Sequence, residues 1–229
     1  MLILACDTSN STCCAGLYED GKELSFELSL EKKTHSETFM PLVGRVIEAS
    51  GRSIRDIDRI AVTVGPGSFT GIRIGLSAVK GLALALGIDC IPVSSTRALA
   101  LSVENISTKP EETVLVPCFD ARNNRVFASA ITDYSKTKVV EEGAYDAREL
   151  ADRIAAFKGI DRRKLIGAGD GSETMRAALE GKDLSVQYAP GCVILPRGIY
   201  LASEGIAPVS GAAISASYCA VSSAERLRK

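Results

Sequence analysis

Residues 60–71 read Ile60-Ala61-Val62-Thr63-Val64-Gly65-Pro66-Gly67-Ser68-Phe69-Thr70-Gly71. The β-branched run 60–64 reads as a buried strand. Gly65-Pro66-Gly67 forces a turn that few other residues could make. Thr70 is the expected helix cap, because its hydroxyl can accept a bond from an orphan amide. The segment predicts strand, tight loop and helix N-terminus, the unit from which α/β folds are built. Such a terminus offers free N–H groups and a positive dipole end, which suit an anion. No Gly-Lys-Ser/Thr follows, so the loop is not of the Walker type.

The helix expected over 70–86 carries only two charges, Arg73 and Lys80, seven residues apart and so on one face. The opposite side presents Gly71, Gly75, Ala78, Leu82 and Ala85 at near-helical spacing. Small residues permit close approach of another helix, and a helix this apolar must be covered nearly all round. Two readings stand: a central core helix, or a helix that meets a partner from another chain or lobe.

Outward from this unit, the first half alternates strands and helices. Leu2–Cys6 is a continuous apolar run, hence a central strand. Thr12–Tyr18 follows, then the hairpin signal Asp20-Gly21. In 23–30, Leu24, Phe26, Leu28 and Leu30 alternate with polar residues, predicting a half-buried strand. A helix with Phe39, Leu42, Val43, Val46 and Ile47 apolar closes at Gly51 and contains Pro41. Strand 90–93 and helix 96–103 complete an order βββαβαβα.

The second half repeats that order more faintly. Strands are expected at 114–119, 125–131 and 138–141, then helix 147–157, strand 164–166, helix 173–179, strand 184–189 and helix 195–203. Asn105–Glu112, with Pro110, is the expected boundary. The domains are therefore 1–105 and 106–229, with the C-terminal tail packing back on the first lobe. Asp7 ends the first strand of one half and Asp120 ends the first strand of the other.

The 229 residues are 46% hydrophobic and 24% charged, ordinary for a globular protein, and the net charge is −1. No global field draws the chain to nucleic acid or membrane, so any RNA contact needs a local patch or another protein. Aromatics are 5% with no Trp, so base stacking is not an evident theme. Seven cysteines, an odd number without Cys-x-x-Cys, fit a reducing cytoplasm and no disulfide frame. Cys6, Cys14, Cys90 and Cys118 sit in apolar strand-like runs. The start lacks a basic segment and a long apolar run, so neither a signal peptide nor a membrane span is expected.

The loop-and-helix residues Gly65 to Gly71 with Arg73, Gly75 and Lys80-Gly81-Leu82-Ala83 resemble the TsaB (YeaZ) family of bacterial tRNA threonylcarbamoyladenosine biosynthesis proteins. Asp7-Thr8-Ser9, Thr34-His35-Ser36-Glu37, Val93-Ser94-Ser95 and Asp120-Ala121-Arg122 also match. The resemblance is dense over 1–130 and thin afterwards. The duplicated lobes resemble the actin-like (ribonuclease H-like) ATPase superfamily, whose paired aspartates face a nucleotide and its metal. The fold implied is α/β: two actin-like βββαβαβα lobes, the second reduced.

That resemblance makes Asp7, Asp120, Gly169 and Gly171 the candidate nucleotide-binding residues. The turns at Asp7–Thr12 and Asp120–Asn124 lack glycine, however, and look degraded as phosphate cradles. Gly167-Ala168-Gly169-Asp170-Gly171 keeps the glycines of an adenosine-side loop. The related TsaD family carries His-x-x-x-His for a metal where this chain reads Ser94 to Ala100, with neither histidine nor carboxylate. His35 is the only histidine and reads as a capping-region or interface residue.

The resemblance thus implies no catalytic residues, no metal site and no cofactor of the chain's own, with ATP or ADP at the interface with TsaD. It implies a non-enzymatic partner of a TsaD homologue in threonylcarbamoyl transfer to adenosine in tRNA. A TsaE homologue joins, tRNA is met through the complex only, no membrane is involved, and the chain alone is a homodimer. His35, Phe39, Gly71, Arg73, Gly75, Ala78, Lys80 and Leu82 are the candidate interface residues. The rival class is an actin-like kinase or a glycoprotease-type peptidase. The first predicts glycines in the phosphate turns and the second predicts another histidine. The tail from Tyr218 resembles the family's closing Tyr-Leu-Arg pattern but has Ala220 in place of the arginine.

Overall fold

A computed structural model describes residues 1–30, 34–104, 106–107, 109–132 and 137–219, so the tail pattern at Ala220 lies outside it. The strands are β1 Leu2–Asp7, β2 Cys13–Glu19, β3 Lys22–Ser29, β4 Arg59–Gly65, β5 Asp89–Ser94, β6 Thr113–Asp120, β7 Arg125–Thr132, β8 Thr137–Asp146, β9 Lys164–Ala168, β10 Val186–Ala189 and β11 Val209–Ser210. The helices are α1 His35–Ser50, α2 Phe69–Leu86, α3 Ser95–Ser102, α4 Ala147–Ala155, α5 Ser172–Leu179 and α6 Pro196–Ser203. They form two α/β units. One comprises Met1–Ala98 with Ile194–Ser217; the other comprises Leu99–Val193 with Tyr218 and Cys219.

The first unit is built on a six-stranded sheet in the order β11-β5-β4-β1-β2-β3. β1, β4 and β5 run parallel, and β2 and β3 are antiparallel additions. Leu2, Leu4 and Cys6 of β1 join Leu42, Val46, Ile72, Leu76 and Val79 of α1 and α2 in one core. On β2, Ala15 and Leu17 belong to that core. Gly16 between them points the other way, where an added Cβ would stand 2.6 Å from Cβ of Pro196 in α6. Alternation along the strand thus puts α1 and α2 on one face and α6 on the other.

Three expectations are corrected here. The helix cap is Ser68, whose Oγ accepts from the Gly71 amide at 3.2 Å, rather than Thr70. The apolar residues of 23–30 do not share a face. A bulge opposite Leu17/Tyr18 inserts an extra residue, so Leu24 packs into the α1 core and Phe26 is 55% exposed. The helix at 195–203, read as the last element of the second half, belongs to the first unit. Its buried Ile199 and Ala202 go to the sheet of β1, β2, β4 and β5. The division between units falls inside α3, where Ala100 joins Leu115, Ile131 and Ile166 of the second unit.

The second unit has the sheet order β10-β9-β6-β7-β8, with β6, β9 and β10 parallel. α4 and α5 supply Leu150, Ile154, Met175 and Leu179 to its core. α2 is long and apolar enough by composition to cross a bilayer. Its Ile72, Leu76, Val79 and Ala83 are instead buried against the sheet.

Candidate functional site: the turn after the first strand and the surface of the second helix

β1 delivers Asp7 to the start of a turn that is fully buried through Ser9. Asp7 Oδ1 accepts from the Ser9 amide at 3.0 Å, from Ser9 Oγ at 2.6 Å and from Thr63 Oγ1 of β4. Asp7 Oδ2 is buried and has no hydrogen-bond partner among the described residues. Burial raises the Asp7 pKa above the usual carboxylate range; the bonds from Ser9 and Thr63 and the nearby His35 oppose the rise.

The network extends outward. Ser95 Oγ donates to Ser9 Oγ at 3.0 Å, and Asn10 Nδ2 donates to the same oxygen at 2.9 Å. His35 Nε2 lies 2.6 Å from the Asn10 carbonyl oxygen. A carbonyl can only accept, so Nε2 carries the proton. The only histidine therefore ties the start of α1 to this turn. Sequence reasoning missed Thr63, and it gave Ser95 only as part of the matching motif Val93-Ser94-Ser95, without a role. The available signal was a hydroxyl inside the apolar run 60–64, because a buried polar group must find a partner.

The Gly-Pro-Gly loop and the first turns of α2 close over Thr8 and Ser9. The Ser68 amide donates to the Ser9 carbonyl at 2.7 Å, and Thr8 Oγ1 donates to the Gly71 carbonyl at 2.9 Å. A Cβ on Gly67 would strike the Ser9 carbonyl; on Gly71, the Thr8 carbonyl; on Gly75, Thr8 Oγ1. The interface assignment of Gly71 and Gly75 is corrected accordingly: their smallness serves an approach within this chain. Phe39 is corrected too, being only 2% exposed in the core. His35, Ala78, Lys80 and Leu82 are half-buried, and Arg73 is exposed with its guanidinium 3.6 Å above the Phe69 ring. The outward face of α2 instead carries Phe69, Arg73, Ser77, Gly81, Leu84 and Ala85. Leu84 is 83% exposed, and nothing lies within 4 Å of a Cβ on Gly81.

In the second unit Asp120 is exposed at the end of β6. Its Oδ1 accepts from the Arg122 amide at 3.0 Å, and its own amide donates to Asp170 Oδ1 at 3.0 Å. Burial, with the Asp120 charge adding to it, raises the Asp170 pKa against the bonds it accepts. Gly169 has φ +95°, and its Cβ would meet the Cys118 carbonyl; that of Gly171 would lie 2.7 Å from the backbone carbon of Phe119. These glycines let the loop pack on β6.

In the first turn the Ser9 amide is taken by Asp7, the Ser68 amide by the Ser9 carbonyl and the Gly71 amide by the Ser68 cap. In the second, the Asp170 carboxylate takes the strand-end amide of Asp120. No group of three or more His, Cys, Asp or Glu among the described residues is placed to hold a metal ion.

Comparison with known proteins gives the lineage of this arrangement. The family described as "TsaD: tRNA N6-adenosine threonylcarbamoyltransferase" matches residues 29–188. The tRNA threonylcarbamoyladenosine biosynthesis protein TsaB of Bacillus subtilis is 34% identical over 173 residues, covering 75% of this chain and 72% of that protein. The chain belongs to the TsaB family. The TsaB of Escherichia coli is 35% identical over 127 residues, and the match spans about half of each chain, 56% and 53%. A crystal structure of YeaZ from Pseudomonas aeruginosa superposes with a TM-score of 0.77 at 21% identity, over 95% of this chain and 99% of that one. That likeness shows a shared fold. The TsaB and TsaD matches overlap on the same stretch of chain, so the two families are related through these units.

Proposed function

We propose that the chain is a non-catalytic partner of a TsaD homologue in forming N6-threonylcarbamoyladenosine in tRNA. Membership of the TsaB family and the match to the TsaD family support this reading. The observation that carries it is the state of the first strand-end turn. Asp7 is fully buried, and the loop over it is closed by Gly67, Gly71 and Gly75. A turn sealed by its own chain is a structural joint. The exposed stripe of α2, from Phe69 through Gly81 to Leu84, is the surface offered to the partner, and a second copy occupies it when the chain is alone. A TsaE homologue and any ATP or ADP act at the assembled complex, and tRNA is met there. The test is reconstitution with a TsaD homologue, a TsaE homologue, ATP and tRNA, omitting each protein in turn. Modified adenosine is expected only when this chain and the TsaD homologue are both present. Full modification without this chain, or modification by this chain alone, would overturn the proposal.

A further inference from the structure

The chain has a net charge of −1, yet its second unit gathers cations in one place. Lys109, Arg162, Arg163 and Lys164 line a depression of about 550 Å³ together with Ser107, Thr113 and Ser185. Topology brings them together. Thr113 and Lys164 open the adjacent parallel strands β6 and β9 in direct register, and Ser185 immediately precedes β10. The depression therefore lies at the N-terminal ends of three neighbouring strands. Ligands of open α/β sheets bind outside the opposite, carboxyl ends of the strands, the end of β6 at which Asp120 stands.

Two carboxylates share the depression, Glu112 and Asp161. Glu112 pairs with Lys109 at 3.0 Å, which spends that cation locally. Asp161 stands 4.0 Å from Arg162 with both side chains well exposed, a pairing that solvent screens to almost nothing. Arg163 Nη1 donates to the Glu111 carbonyl at 2.6 Å, which orients the guanidinium and leaves its charge uncancelled. Lys164 has no ion pair among the described residues. Three consecutive cations, 162–164, thus border a hydroxyl-lined hollow. Guanidinium forks beside hydroxyls match phosphate oxygens.

We infer that this depression contacts the phosphate backbone of tRNA. The inference rests on the proposed role in tRNA modification and adds a surface of this chain that touches the RNA. Phosphate contacts position a nucleic acid without reading its sequence, as an accessory subunit would need to do.

The test measures tRNA binding by the complex of the full chain with a TsaD homologue across a salt series. It compares wild type with Arg162→Glu/Lys164→Glu and the charge-keeping control Arg162→Lys/Lys164→Arg. Neither reversed side chain anchors the fold. The reversal is expected to weaken tRNA binding several-fold and to lower the slope of log affinity against log salt by about 1.5, two contacts at roughly 0.7–0.9 each. The control keeps the wild-type slope. An unchanged slope in the reversed variant overturns the inference, as does absence of tRNA binding by the wild-type complex. Weakened association with the TsaD homologue at unchanged tRNA affinity also overturns it and makes the surface a protein contact. Displacement of bound tRNA by ATP with no salt dependence overturns it in favour of a mononucleotide. The omission assay decides the functional proposal separately, since it does not depend on these residues.

Discussion

Thr8 Oγ1 occupies the space in which a Cβ on Gly75 would stand, while donating 2.9 Å to the Gly71 carbonyl one turn earlier. One threonine thereby sets both the separation and the register of α2 against the end of β1. It also explains two glycines that look, along the helix alone, like a docking stripe.

Substitution at Gly75 therefore acts on stability before it acts on any partner. Gly75→Ala forces Thr8 or the helix to move, and overpacking of this kind costs about 1–3 kcal/mol. Gly81→Ala meets open space, and replacing a mid-helix glycine is expected to stabilise the isolated chain by up to about 1 kcal/mol. Urea denaturation of the two variants checks both signs. Equal stabilities would contradict the packing at Thr8.

If the outward stripe of α2 is the partner surface, a charge at Leu84, which is 83% exposed, leaves the fold intact. Leu84→Glu is expected to keep the wild-type denaturation midpoint and to lose association by light scattering, both with itself and with a TsaD homologue. Assemblies that survive unchanged would place the partner elsewhere.

Asp7 supplies a pH dependence. Its folded-state pKa is raised by burial, so the folded protein holds this proton more tightly than the unfolded chain does. Its contribution favours folding at acid pH and is lost as pH rises from the ordinary carboxylate value of 3.8 through the folded pKa. Each unit of that rise is worth about 1.4 kcal/mol. Asp7→Asn keeps an oxygen for the bonds from Ser9 and Thr63 and removes the cost of ionisation. The variant is expected to match or exceed wild-type stability at neutral pH, with its relative advantage shrinking as pH falls. It is also expected to support tRNA modification in the reconstituted system. Loss of modification with an intact fold would give Asp7 a chemical role.

Gly169→Ala places a side chain at φ +95° and against the Cys118 carbonyl. A cost of about 1–3 kcal/mol is expected, read as a lower thermal midpoint.

All seven cysteines are free. Burial pushes the Cys13 thiol up to about 12 and the Cys90 thiol up to about 11. Cys6, Cys14 and Cys118 are fully buried and raised by the same cause. A thiol reagent on the folded protein is expected to reach Cys192 and Cys219 first, because both are only half-buried. Rapid labelling of Cys6 or Cys118 would contradict the strand cores.

Local sequence determined the elements of this protein and their order. Apolar runs such as 2–6 and 60–64 could only be central strands, because a continuous β-branched run needs cover on both faces. Asp20-Gly21 could only turn, and it adopts positive φ at both residues, 47° and 88°. What the one-dimensional pattern could not carry was the identity of each neighbour. A bulged residue in β3 sent Leu24 and Phe26 to opposite faces, since one inserted residue reverses a period of two. α6, last in the second repeat, buries Ile199 and Ala202 on the first sheet, a pairing of residues far apart in the chain. Gly71 and Gly75 have the same small side as Gly81, and only the approach of Thr8 separates buried joint from open surface. Helical spacing records which residues share a face; which body covers that face is decided by long-range packing.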